Sequence, residues 1–111
     1  MPDFERGDVV RIPFPYTDRN TRQHRPGLVV SASGIGDQAG LIWVVMITSA
    51  ANRRWPDDLD LEDRYGEAGL PAPSVVRPSK IATIEASAAE RIGRLDEARL
   101  AVVMETIRRW L

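Results

Sequence analysis

At 111 residues the chain has the length of one ordinary domain. It is 43% apolar, enough for one core but too little for two, and its net charge of −1 excludes bulk electrostatic attraction to nucleic acid. Having no cysteine, it can form no disulfide, thiol nucleophile or thiolate zinc site, and its single histidine, His24, excludes a multi-histidine metal centre. The longest apolar run, Leu41 to Ile47, falls well short of the roughly 20 residues of a membrane helix. Asp3, Glu5, Arg6 and Asp8 interrupt any signal-like stretch near Met1. These features predict a soluble, cytoplasmic protein that does not engage membrane, with residues 1–111 forming a single domain.

Gly7 to Ile12 reads as a short strand, stopped by Pro13 and Pro15. A polar loop follows, from Tyr16 to about His24. Because Pro26 belongs at a strand start or edge, the second strand is set at Gly27 to Ala32. Ser33 to Asp37 and Gly40 are turn material. Leu41 to Ser49 is apolar on both faces, the pattern of a central strand covered on both sides. Asn52 to Pro56 breaks it, and Leu59 and Leu61 alternate with acids in a short edge strand. Gly66 to Pro73 reads as loop, and Ser74 to Arg77 and Lys80 to Ile84 as two strands split by Pro78.

The period then changes. Leu100, Val103, Met104, Ile107 and Leu111 form one helical stripe, with Asp96 as N-cap, Glu97 in the first turn, and Arg108 and Arg109 in the last. Short strands followed by one long helix predict a mainly β domain: a small, strongly bent antiparallel sheet or barrel with a C-terminal α-helix packed across it.

Charge is unevenly spread. The basic residues are fourteen arginines and one lysine, Lys80. Arginine's planar fork suits bidentate phosphate contacts and stacking on bases, although a coding bias towards arginine accounts for the excess equally well. Residues 19–25 hold three arginines, Arg19, Arg22 and Arg25, and no acid, whereas residues 57–63 hold five acids and no base. This segregation permits a local phosphate site on a near-neutral protein. The acids Asp57, Asp58, Asp60, Glu62 and Asp63 lack the spacing of a calcium-binding loop and read as a solvated face, so no metal site is assigned. No nucleophile elbow, phosphate-cradling loop or zinc-protease motif is present.

The order of short motifs carries further. Gly7-Asp8-Val9-Val10, Phe14-Pro15, Thr17-Asp18, Arg25-Pro26-Gly27-Leu28-Val29-Val30 and Ile47-Thr48-Ser49 follow one another. Gly69-Leu70, Pro73-Ser74-Val75-Val76-Arg77, Ile81-Ala82-Thr83-Ile84 and Ile92-Gly93-Arg94-Leu95 complete the series. From about Glu5 to Leu111 the chain resembles the MazF/PemK family of bacterial toxins. The resemblance implies an SH3-like or CcdB-like barrel, a homodimer, and a cognate antitoxin as partner. It also implies cleavage of single-stranded RNA with no cofactor, by attack of the RNA's own 2′-hydroxyl, leaving a cyclic phosphate and a 5′-hydroxyl.

By that resemblance Arg25 and Thr48 are the catalytic pair. A guanidinium offers five donors in a fixed fork to the phosphorane charge, and a hydroxyl can orient the scissile phosphate. Arg77, Ser79, Ser49 and His24 are further candidates for catalysis or phosphate binding. Ser79 stands where some relatives carry an acid, which leaves the general base open. His24 is of the residue type that exchanges protons near neutrality, but in a regular strand it faces away from Arg25. Arg19, Arg22, Arg53 and Arg54 are candidate RNA contacts. Trp55 either stacks a base beside them or caps the core or a dimer contact. Trp43 and Trp110 are assigned to core or interface. Two other outcomes stay open on this fold: a CcdB-like toxin that binds gyrase without nuclease activity, and a silent barrel that binds antitoxin or RNA.

Overall fold

The computed structural model describes residues 3–13 and 24–111. The polar loop after the first strand, with Arg19, Arg22, Phe14-Pro15 and Thr17-Asp18, lies outside them. The strands are β1 (Asp8–Pro13), β2 (His24–Val29), β3 (Leu41–Ser49), β4 (Leu59–Asp60), β5 (Ser74–Glu85) and β6 (Glu90–Arg94), and α1 (Glu97–Arg108) follows. They form one antiparallel sheet in the order β4-β5-β3-β2-β1-β6, curled into a half-barrel. The helix α1 is shorter than a membrane span, and no described helix is long and apolar enough to be one.

Period-two alternation divides the core into two clusters on opposite faces of the sheet. Val9, Leu28, Val45, Ile47 and Val76 share one face with Leu61, Leu70 and Leu95, and α1 covers it with Val103 and Ile107. Val10, Ile12, Val29, Ile42, Val44, Met46 and Ile84 fill the other with Phe4. β3 therefore has both faces covered, as its composition predicts. Asp96 caps the helix, its carboxylate accepting the Arg99 N–H at 3.1 Å.

Four expectations need correction. β2 begins at His24 and includes Pro26, because β2 pairs with β3 only from Gly27 onward. Pro26 thus lies where β2 has one neighbour and its missing N–H breaks no ladder. Pro78 does not split a strand. β5 is continuous, and the register jumps from Met46–Arg77 to Val45–Ile81, so Pro78, Ser79 and Lys80 are accommodated as a bulge. The strand β6 was not predicted: Ile92 is its sole apolar side chain, and backbone pairing with β1 defines it. Finally, Leu111 falls beyond the end of α1 and is 95% exposed; Trp43 and Trp110, assigned to core or interface, are about half exposed, which removes the core and keeps the interface of those two alternatives.

Two glycines close the half-barrel. The segment Tyr65–Leu70 leaves edge strand β4 and lies against the opposite edge, β6. A Cβ on Gly93 would collide with the Ala68 carbonyl, and one on Gly69, whose φ is +83°, would collide with the Ile92 carbonyl. At the neighbouring strand end, buried Asp8 accepts from Arg94 Nη1 at 2.9 Å and from the Glu5 N–H at 2.9 Å, fixing β1 to β6.

Candidate functional site

A cavity of about 450 Å³ opens at the end of the sheet where β2 and β3 part. Its polar lining is Arg11 from β1, His24 and Arg25 from β2, Thr48 and Ser49 from β3, and Ser74 from β5. Apolar walls come from Pro26, Ile47, Ile92 and the segment Leu70-Pro71-Ala72-Pro73. The two prolines stiffen that wall by fixing φ. Among the described lining residues none is an acid.

Register explains why Arg25 and Thr48 meet here. The last β2–β3 pair is Gly27–Met46, and counting on by two residues sets Arg25 opposite Thr48. Opposed residues of an antiparallel pair share a face. Ile12 pairs with Arg25 from the other side, so Arg25 is held between β1 and the start of the gap. Thr48 is 6% exposed, and its Oγ1 accepts from the Asn52 side-chain amide at 2.7 Å. Ser74 turns its hydroxyl onto the Ala72 carbonyl at 2.8 Å, pinning the proline-rich wall.

His24 also lines the cavity, although it alternates with Arg25 along β2. The site wraps round the sheet's end, so both strand faces reach it. Ser49 likewise joins, exposed at the end of β3. Arg11, Asn52 and the Pro71–Ser74 wall escaped the sequence reading. On a strand, an arginine between Val10 and Ile12 signals only a solvent-facing position, and neither a loop asparagine nor a loop wall carries any periodic signal.

The other candidates are placed elsewhere. Arg77 does not line this cavity. Its Nε and Nη2 hold Asp58 (Nη2–Oδ2 2.9 Å), Nη2 also donates to the Arg53 carbonyl at 2.9 Å, and the guanidinium stacks 4.1 Å from the Trp55 ring centre. Both side chains are almost fully buried, at 7% and 1% exposure. The run of acids is therefore not simply a solvated face: Asp58 is a buried counter-ion, and Asp57 and Asp60 each meet an arginine. Arg54 pairs with Asp60 at 2.6 Å. The Glu62 backbone N–H, then Arg54, hold the Asp60 carboxyl below its ordinary range. Trp55 carries Arg77 on its ring, with Lys80 Nζ at 5.5 Å from the centroid. Ser79 is exposed in the β5 bulge. Among the described residues no cluster of three or more His, Asp or Glu side chains is arranged to hold a metal ion.

Residues 5–111 match the family model of the PemK-like, MazF-like toxins of type II toxin–antitoxin systems. No curated protein matches the sequence significantly. Among solved structures, the chain is similar to MazF in a MazE–MazF crystal structure from Deinococcus radiodurans, at 21% identity and a TM-score of 0.75, covering 99% of this chain and 96% of that one. An endoribonuclease in complex with its cognate antitoxin, from a mycobacterial species, matches at 17% identity and a TM-score of 0.65 over 96% of each chain. Toxin MazF-mt6 from Mycobacterium tuberculosis matches at 19% identity and a TM-score of 0.66, over 92% of this chain and 93% of that one. At these identities the structural likeness speaks for the fold.

Proposed function

The chain belongs to the family of PemK-like, MazF-like toxins of type II toxin–antitoxin systems, and from that premise we propose that it is an endoribonuclease cutting single-stranded RNA without a metal ion. The observation that carries the reading is the convergence of Arg25 and Thr48 on one cavity, beside Arg11 and His24. In the reaction the ribose 2′-oxygen attacks phosphorus, the P–O5′ bond breaks, and a cyclic phosphate and a 5′-hydroxyl result. One proton leaves the 2′-hydroxyl and one is delivered to the departing 5′-oxygen.

Arg25 supplies charge to the phosphorane; a guanidinium stays protonated and presents donors in a fixed plane. Thr48 orients the phosphate through its hydroxyl. His24 is the cavity's candidate for moving a proton, and Arg11 and Ser49 add donors for the phosphate oxygens. The apolar proline wall gives the flanking base a surface to pack on. Arg19 and Arg22 remain candidate RNA contacts. Arg53, Arg54, Trp55, Arg77 and Ser79 stand outside this cavity, so any part they take is in guiding RNA towards it.

By the same family reading the active form is a homodimer in the cytoplasm, silenced by a cognate antitoxin. Complexes of the related folds with MazE and with a cognate antitoxin support that partner. The test is to incubate RNA with the purified protein in excess chelator and to map the ends. Fragments ending in cyclic phosphate, formed far more slowly by Arg25→Ala and Thr48→Ala, are expected. Intact RNA with the wild-type protein overturns the proposal and leaves a binding toxin. A monomeric mass at micromolar concentration overturns the homodimer.

A further inference from the structure

The loop after β3 is built to hold one side chain over Thr48. The Asn52 N–H donates to the Ser49 carbonyl at 3.0 Å, and the Ala51 N–H donates to Ser49 Oγ at 3.2 Å, so the chain doubles back immediately beyond the strand. The following residues are latched from β5. Arg77 takes the Arg53 carbonyl at 2.9 Å and the Asp58 carboxylate, while Asp58 accepts the Trp55 N–H at 2.9 Å. Asn52 is thereby fixed with its amide Nδ2 2.7 Å from Thr48 Oγ1.

A hydroxyl has one proton to give and two lone pairs to receive. With Asn52 donating into one lone pair, the Thr48 proton must point elsewhere, and the open side of the residue is the cavity. We infer that Asn52 is a positioning residue: it sets the polarity of the Thr48 hydroxyl, so that Thr48 donates its proton as a hydrogen bond to a non-bridging oxygen of the bound phosphodiester. The inference rests on the proposed RNA cleavage and assigns the direction of one contact within it. Arg77 enters the same chain of support at one remove, by holding the turn that carries Asn52.

The experiment compares wild-type, Asn52→Ala, Asn52→Asp, Thr48→Ala and Asn52→Ala/Thr48→Ala proteins on a short RNA under single-turnover and steady-state conditions. Asn52 is exposed, so its replacement leaves the fold intact, which a thermal melt checks. Asn52→Ala is expected to lower kcat about tenfold with KM changed less than about twofold. Asn52→Asp keeps the shape but offers an acceptor, drawing the Thr48 proton out of the cavity; it is expected to be worse than alanine. In the Thr48→Ala background, Asn52→Ala is expected to add nothing, because its target hydroxyl is gone. A wild-type kcat in Asn52→Ala, or a further loss on top of Thr48→Ala, overturns the inference while cleavage itself stands. Wild-type protein that leaves RNA whole overturns the proposed function, and this inference falls with it.

Discussion

Arg25 and Arg77 lie on neighbouring parts of one sheet and in contrasting surroundings. Arg77 is buried with a carboxylate, a carbonyl and an indole ring all trained on its guanidinium. Arg25 is half buried beside hydroxyls, a histidine and proline walls, at the mouth of a gap between strands. The first arrangement spends the guanidinium's donors on a buried carboxylate and a carbonyl; the second places a guanidinium in the lining of a cavity. Residue type is identical in both cases, so the surroundings separate an arginine that holds the scaffold from one that the proposed reaction can use.

Four substitutions can break or sharpen this contrast. The largest expected effect is on stability: Arg77→Met leaves Asp58 buried without its counter-ion and is expected to cost about 3–5 kcal/mol, read by denaturant unfolding. Replacing both partners by apolar residues is expected to recover much of that loss, which separates the pair's net worth from the penalty of orphaning one charge. Arg25→Ala is expected to lower cleavage about 100- to 1,000-fold with little change in unfolding midpoint, the loss typical of removing one donor to a developing anion. If Arg25→Ala instead unfolds the protein while Arg77→Met only slows cleavage, the two roles are reversed.

Next comes Gly93→Ala, expected to cost about 1–3 kcal/mol because the new methyl group meets the Ala68 carbonyl and must push the closing segment away from β6. The smallest effect is expected for Arg54→Ala, under about 1 kcal/mol, since its partner Asp60 is 36% exposed and the pair is screened by solvent. Asp60 has its carboxyl pKa lowered by folding, so its contribution is present above pH 3.8, the ordinary aspartate value, and fades as pH falls below it. Melts at pH 7 and at a pH low enough to protonate Asp60 in the folded protein check that Arg54→Ala matters in the first condition and not in the second.

Much of the fold was legible because apolar periodicity reports burial directly. β3 shows this best: an unbroken run from Leu41 to Ile47 with clusters on both faces. The Asp96 cap was legible for a different reason, as a residue type whose side chain meets the first backbone N–H groups of a helix. Prolines misled, because their meaning depends on neighbours: Pro26 sits where a ladder has ended and Pro78 where a bulge has opened. β6 was hidden because its pairing is made by backbone, which carries no composition. At the site, Arg25 and Thr48 came from motif order, not from their chemistry, and their convergence needs a register no single strand reveals. The Asp58–Arg77 partnership spans nineteen positions and was invisible inside a run of like charges. Gly69 and Gly93 stood in the motif series as mere punctuation, and the close packing of Tyr65–Leu70 on β6 supplies their physical reason.

That packing also limits how another polypeptide can attach. The sheet's margins are β4, of two residues, and β6, which carries Glu90, Arg91 and Arg94 and has Ala68–Gly69 pressed on its backbone. Among the described residues, neither margin offers a long, flat row of vacant amides for an incoming strand to zip onto. Self-templated fibre growth is correspondingly discouraged. A regulatory chain that binds this protein is steered towards broad surfaces and clefts, where side chains rather than backbone ladders set selectivity.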